Sequence, residues 1–584
     1  MAIHMPINAA SVQGPTPPRH AQLVDYRDGE LFWATQNGND EEHTDRLKRE
    51  EIVFILKRPE SDGYLVYSVS EAPDNKDGND AKPKFEVSVL FAAQLPEEPL
   101  AEFLLDEIPA HLRSDGSHHL LDVIVSTRSG IGQAPEFYEG VLHPLLEALG
   151  LREQHLGLPE QAGEGWAVSQ IGDEEGPVED GTSGYCYRYR LTVTKSSTTI
   201  RDFARGLAGA GTGHTNGNGV NPVSPGRTIV LLSGDGGVID LLNGIDRSSS
   251  SASVPAPTIA VLPLGTGNAL FHSLHKPLYA AAASNGARPT APSASSLVLG
   301  LRTLFRGTTA TLPTFKASFS PGARLVSSPE LVTDGGAGTS TNGSTDTNTN
   351  GSTNGHSNGN TNGNTNGNTH DNSNGANGSP LPKIDHLIGA IVASYGFHAS
   401  LVWESDTPAY RKHGDKRFGM AAAELLKLSH AYDATVEVRP HSSSSSNKLI
   451  PLRQGKKFNY VLATMVSNLE KAFTISPASR PLDGQLRLVH FGDVGGEKTM
   501  EIMMAAYKGG EHVGMAWVKG DEEERERVGY EEVDEVRVTI GEEDPRWRKV
   551  CIDGTIVEVE KGGWMAVRRA DEERLRVLVD QSVL

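Results

Sequence analysis

Ile229-Val230-Leu231-Leu232 runs straight into Ser233-Gly234-Asp235-Gly236-Gly237, and Val238-Ile239-Asp240-Leu241-Leu242-Asn243-Gly244 follows. The first four residues form a short, wholly apolar run of the kind buried in a parallel sheet, and the last seven have helical spacing. Between them the glycines let backbone amides approach an anion, and the free N–H groups of the following helix favour negative charge there. Taken alone, a Gly-Asp-Gly of this kind is more often an ordinary tight strand-to-helix turn. A second element of the same design lies about thirty residues on: Ile259-Ala260-Val261-Leu262-Pro263-Leu264, then Gly265-Thr266-Gly267-Asn268-Ala269-Leu270. Neighbouring parallel strands deliver the loops at their carboxyl ends to one crevice, so the pair predicts a nucleotide site. Neither loop is followed by Gly-Lys-Ser/Thr, which excludes a Walker A site, and no protein-kinase catalytic loop is present.

Working outward, strand patterns at 120–126, 187–194, 228–232 and 258–262 alternate with helical patterns at 135–149, 198–207, 238–245 and 268–274. That alternation predicts an α/β layer with a largely parallel sheet over 113–308. Residues 1–20 are Pro-rich and polar and are expected to be disordered. From 21 to 112, runs such as Ile52–Leu56, Tyr64–Tyr67 and Phe85–Val89 predict a small β-rich domain ending in a helix over Pro99–Leu112. No basic pocket for a lipid headgroup is evident in that domain, which favours a packing role. Residues 309–584 read as β-rich, interrupted by one helical stretch at Tyr410–His430. An Asn/Thr/Gly-rich insertion at 334–380 cannot bury a core and is expected to be disordered, and 206–226, 246–256 and 442–447 are read as loop expansions.

The 584 residues carry a formal net charge of −20, which opposes the positive field that nucleic-acid binding needs. Two cysteines, Cys186 and Cys551, are too few for a disulfide framework and are read as free thiols in a reducing compartment. Met1–Ser11 has neither the basic nor the apolar region of a secretion signal, and no run approaches the ~18 apolar residues that span a bilayer. The expected location is cytoplasmic, with peripheral association to intracellular membranes.

With these residues on the page, the chain resembles the diacylglycerol kinase catalytic-domain family, and within it the sphingosine kinase branch. Ser233–Gly236 with Asn243-Gly244 and Leu262–Leu270 carry the likeness, supported in order by Arg128–Ala134, Thr194, Tyr395-Gly396-Phe397, Glu404-Ser405-Asp406, Tyr410–Phe418, Pro481–Gly484 and Ile552–Gly554. The resemblance spans about 115–570. It implies a three-layer nucleotide domain, a β-sandwich lipid domain, and ATP with Mg²⁺ in the cleft between them, serving phosphoryl transfer to a lipid hydroxyl.

On that reading Asp235 is the base that accepts the hydroxyl proton. Ser129, Gly130, Thr194, Ser233, Gly234, Gly236, Gly265, Thr266, Gly267 and Asn268 would cradle the nucleotide. Arg411 and Arg417 would neutralise transferring oxygens. Phe397, His398, Glu404 and Asp406 would meet the lipid, and Asp553 would hold magnesium. Three positions depart from the family pattern. Val402 stands where the sphingosine kinase branch has an acid that meets the lipid amine, Thr555 replaces the Glu of Asp-Gly-Glu, and Ser126-Thr127 replaces the Asn-Pro of the first loop. Two other readings stay open: a soluble-substrate kinase of the NAD kinase type, and a non-catalytic lipid-binding scaffold. The lipid reading demands that both glycine turns meet on one face, beside a cavity for an acyl tail.

Overall fold

The computed structural model describes residues 18–21, 23–36, 42–58, 63–72, 84–115, 119–154, 187–209, 225–245, 255–284, 294–326, 382–414, 416–441, 448–452, 455–518 and 525–584. The expected insertion at 334–380, the loop expansion at 442–447, most of those at 206–226 and 246–256, nearly all of segment 1–20, and Cys186 lie outside them.

Seven strands form the central sheet: β1 (His119–Val125), β2 (Leu151–Glu153), β3 (Tyr187–Val193), β4 (Gly226–Ser233), β5 (Thr258–Pro263), β6 (Thr308–Thr311) and β7 (Arg576–Val579). Their spatial order is β2-β3-β1-β4-β5-β7-β6, parallel throughout except for the edge pair β7–β6. The register pairs Ser233 with Pro263, so the chains leaving β4 and β5 emerge side by side at the carboxyl edge. Helices α1 (Thr199–Gly209), α2 (Asp235–Gly244), α3 (Ala269–Ser284) and α4 (Ser296–Arg306) belong to this layer. Residues Val230 and Leu232 face one apolar core and Ile229 and Leu231 another, which is why the run is apolar without alternation.

The chain then crosses into a twelve-stranded sheet in which every pairing is antiparallel. Four of its strands close a circuit: Lys457–Thr464 pairs with Tyr432–Pro440 and with Arg487–Gly492, and both of those pair with Gly529–Ile540. Helices α5 (Phe397–Ser405), α6 (Lys416–Leu428) and α7 (Gly495–Ala506) belong to this half. The fold class is therefore as expected, a parallel α/β layer joined to a large antiparallel half, behind small β-sheets at the amino end.

Several details differ from the sequence reading. Both ends of the segment assigned to the second half, β6 and β7, complete the α/β sheet instead. The stretch at 99–112 is α-helical only to Phe103, in a helix over Glu97–Phe103; the chain is extended at Leu104–Leu105 to pair with Ile55-Leu56, and a short 3-10 helix follows at Ala110–Leu112. The helix expected at 135–149 is interrupted by a π-helical turn at Tyr138–Leu142. Helices α5 and α7 were not foreseen. Helix α5 carries apolar residues around much of its girth, and α7 leaves Met500 and Met504 exposed, so neither presents a clean stripe. The amino-terminal sheets pack on the α/β half: the Phe54 ring meets Phe305 at 4.9 Å, Phe85 meets Phe137 at 5.1 Å, and Arg302 Nε donates to the Ile52 carbonyl at 2.8 Å.

Candidate active site

The two glycine turns meet back to back. A methyl group placed on Gly234 would stand 2.8 Å from the Gly265 Cα, and one on Gly265 would collide with Gly234 in return. No side chain fits at either position, so the glycines are required by the approach of the two backbones. The loop after β1 joins them. Gly130 has φ +56°, and a Cβ there would lie 2.6 Å from the Leu264 carbonyl. Ser129 Oγ lies 2.9 Å from Ser126 Oγ and 2.9 Å from Ser233 Oγ, which knits the first loop to the second. Thr194 Oγ1 accepts from Thr127 N at 2.9 Å, so this threonine braces the first loop.

Helix α2 begins at Asp235, and exposed Gly236 has open space on its Cβ side. Its first turn thus presents free N–H groups at the point where the loops converge, a ready site for phosphate oxygens. Asn268 plays a different part from the one expected. Its φ is +53°, its Oδ1 accepts from Gly265 N at 2.9 Å, and its Nδ2 donates to the Gly265 carbonyl at 2.9 Å. It holds the Gly265–Gly267 turn in shape from within.

Asp235 is only partly exposed, and its two carboxylate oxygens accept from Ala269 N at 2.7 Å and Leu270 N at 3.1 Å. The carboxylate therefore caps α3, which ties the second turn to the third. Packing around the carboxyl raises its pKa, and the two N–H donors oppose that shift. A methyl on Gly267 would sit 4.0 Å from Asp235 Oδ2, so the third turn borders the acid on its open side. Thr266, at the tip of that turn, is partly exposed.

Asp553 lies in the left-handed region at φ +47° and is 4% exposed. Its oxygens accept three backbone N–H groups, from Ala390 at 2.6 Å, Ile391 at 3.1 Å and Val392 at 2.7 Å. Burial pushes its carboxyl up to about 7, the three donors pull against that, and the Asp235 charge adds to the rise. A buried acid with three of its roughly four acceptor sites taken by amide donors is a poor fit to a magnesium ligand, and among the described residues no group of three or more acidic, His or Cys side chains could hold a metal ion. Asp553 instead fastens its turn to the strand link at 390–392.

Two clamps that the sequence reading did not assign hold the halves together. Asn243 Nδ2 donates to the Ile388 carbonyl at 2.8 Å and its Oδ1 accepts from Ile388 N at 2.8 Å. Ser273 Oγ donates to the Asn468 carbonyl and accepts from Asn468 N, both at 3.0 Å. Asn243 was legible as part of the Asn-Gly motif, whereas Ser273 carried no local signal.

The two acids expected to meet the lipid are each paired with arginines. Asp406 receives a bidentate contact from Arg411 at 2.9 and 2.7 Å, and Arg417 Nη1 at 3.2 Å. Their turn does reach the nucleotide side, since a Cβ on Gly414 would lie 3.2 Å from Ile131 Cγ2 in the first loop. Glu404 Oε1 is bonded to Arg546 Nε at 3.1 Å. Val402 packs with Ala399, Trp403, Cys551 and Ile556 in an apolar cluster. Phe397 is buried at the start of α5. His398 Nδ1 lies 2.7 Å from Ser394 Oγ, and burial lowers its pKa to about 4, so it is neutral near pH 7.

Between α3 and the second half lies an apolar cavity lined by Leu270, Leu274, Leu312, Ala390, Met465 and Leu482, with Arg480 also contributing to its wall. Its free volume is about 20 Å³, room for roughly one water molecule. A second, near Phe397, His430 and Asn459, is about 10 Å³. Neither holds an acyl tail, so of the two demands of the lipid reading the meeting of the glycine turns is met and the cavity is not.

Among solved structures, one described as a diacylglycerol kinase from Bacillus anthracis strain Sterne aligns over 80% of this chain and 98% of its own, at 10% identity and a TM-score of 0.36. Another from the same organism, given that assignment provisionally, aligns over the same shares at 11% identity and a TM-score of 0.39. A search of curated proteins finds no match. Residues 183–294, the segment that contains both glycine turns and Asp235, match the diacylglycerol kinase catalytic domain family.

Proposed function

We propose that the protein is an ATP-dependent lipid kinase that moves the γ-phosphoryl group of ATP to a hydroxyl of a neutral, membrane-derived lipid. The observation that carries this reading is the contact of Gly234 with Gly265 at the carboxyl edge of parallel strands, with Asp235 beside it. Ser233, Gly234, Gly236, Gly265, Thr266 and Gly267 would line the triphosphate, with Ser129, Gly130 and Thr194 shaping the first loop and Asn268 holding the third. The acceptor oxygen attacks the γ-phosphorus, the bond to the bridging oxygen breaks, ADP leaves, and the hydroxyl proton passes to Asp235. A base whose pKa is raised by its surroundings suits that task, which contributes about 10²–10⁴ in rate. Asp553 is buried among amide donors, so magnesium would travel with the nucleotide's own phosphates, and no step here depends on it.

The apolar setting of Val402 and the pairing of Glu404 and Asp406 favour an uncharged acceptor of the diacylglycerol type over a sphingoid base. An amine brought there would lack a carboxylate already committed to it, and a desolvated charge without a partner is costly. Among the described residues no helix is long and apolar enough to cross a membrane, so the enzyme would meet its lipid by peripheral association. Incubating the protein with labelled ATP, Mg²⁺, diacylglycerol, a sphingoid base and NAD tests the proposal. Label in diacylglycerol is the expected result. Label in NAD alone would make it a soluble-substrate kinase, and ATP binding without label in any acceptor would favour a scaffold.

A further inference from the structure

Leu482 stands in a backbone conformation that its side chain does not explain. The Asp483 N–H bonds to the Arg480 carbonyl at 3.3 Å, which closes a four-residue turn with Pro481 second and Leu482 third. Leu482 has φ +60°. That third position belongs by preference to Gly or Asn, and a γ-branched residue is strained there. The turn is held regardless, because Asp483 accepts from Arg480 N at 3.1 Å and Gln485 N at 3.0 Å and pairs with Arg487 at 2.8 Å. Strain maintained by a rigid frame marks a place where the side chain has work to do.

The Leu482 side chain is partly buried against the core of the second half and forms one wall of the apolar cavity. Lining the same cavity, Leu270 and Ala390 are residues whose N–H groups bond to the Asp235 and Asp553 carboxylates. The cavity therefore begins one residue away from the proposed base. As it stands, about 20 Å³ is too little for an alkyl chain. Withdrawing one leucine side chain would enlarge it, and relaxing the Leu482 backbone out of the left-handed region would favour that withdrawal.

We propose that Leu482 is the displaceable wall of a subsite for the apolar chain of the acceptor, and that it sets chain-length preference. This rests on the lipid-kinase reading. Arg480, exposed beside the cavity, marks its polar end. Removing the side chain while relieving the backbone, as Leu482→Gly does, opens the subsite permanently. The ratio of KM for short-chain to long-chain diacylglycerol is expected to rise about tenfold, the scale on which a hydrophobic pocket discriminates. Binding of a fluorescent long-chain diacylglycerol to the nucleotide-free protein tightens in parallel. Should Leu482→Gly fail to fold, Leu482→Ala takes its place, since it too removes the side chain beyond Cβ. An unchanged KM ratio together with unchanged binding overturns the subsite. If no lipid is phosphorylated, the kinase reading fails, while tighter binding by the variant would still support the subsite.

Discussion

The glycine crevice of the α/β half and the charged helical turn of the antiparallel half were both expected to touch the reacting groups, and they are built from different materials. The crevice is made of backbone: Gly234 against Gly265, Gly130 against the Leu264 carbonyl, and helix α2 starting where they meet. The turn is made of long side chains, and its Arg411, Arg417 and Asp406 are already joined to one another. A backbone site is preorganised by the fold, whereas a side-chain site depends on which partners the fold supplies.

The comparison breaks most easily at the glycines. Gly265→Val forces the two turns apart, and displacement of about 1 Å at such a site costs about 10²-fold or more. Calorimetry should find ATP binding abolished with the thermal midpoint of the antiparallel half little changed, and intact binding would mean the turns are not the phosphate cradle. A smaller effect is expected at Asp553. Asp553→Asn turns an acceptor into a donor facing N–H groups, at a cost of about 1–3 kcal/mol in stability, with no change in the magnesium dependence of turnover. A steep new requirement for magnesium would restore the metal role that the geometry argues against.

The pH dependence of that variant sharpens the point. The Asp553 pKa rises from 3.8 to about 7 on folding, so between those values the folded chain keeps a proton that the unfolded chain has lost. The stability this group contributes is full at the acid end and declines as pH rises through 7. The gap in denaturation midpoint between wild type and Asp553→Asn should therefore narrow from pH 5 to pH 7; a widening gap would contradict the protonated state. The smallest effect is expected at Arg411. Arg411→Gln removes a half-exposed ion pair worth about 0–1 kcal/mol, and a sharp rise in KM for ATP would instead show that the guanidinium leaves Asp406 for phosphate.

What was legible follows the same division. The parallel strands and the two glycine turns were readable because their signal is local: an apolar run, then residues with no Cβ at the point of contact. The clamp at Asn243 was visible as part of a motif, although its partner, Ile388, lies 145 positions away. The amides around Asp553 were not legible because an Asp-Gly turn looks the same whether it faces a metal or three amides; only the fold of 390–392 brings those donors to it. Likewise nothing near Asp406 in sequence distinguishes a substrate contact from an ion pair, and nothing at 308–311 or 576–579 announces that those strands rejoin the first sheet. Leu482 was hidden for the opposite reason, since its strain appears only in the backbone.

The most direct measurement is turnover by Asp235→Asn with ATP binding determined on the same sample. The substitution keeps the size of the side chain and one acceptor for α3 while removing the base. We expect nucleotide binding to persist and lipid phosphate to fall by about 10²–10⁴. Wild-type rates of product in a folded Asp235→Asn protein would contradict the account at its centre.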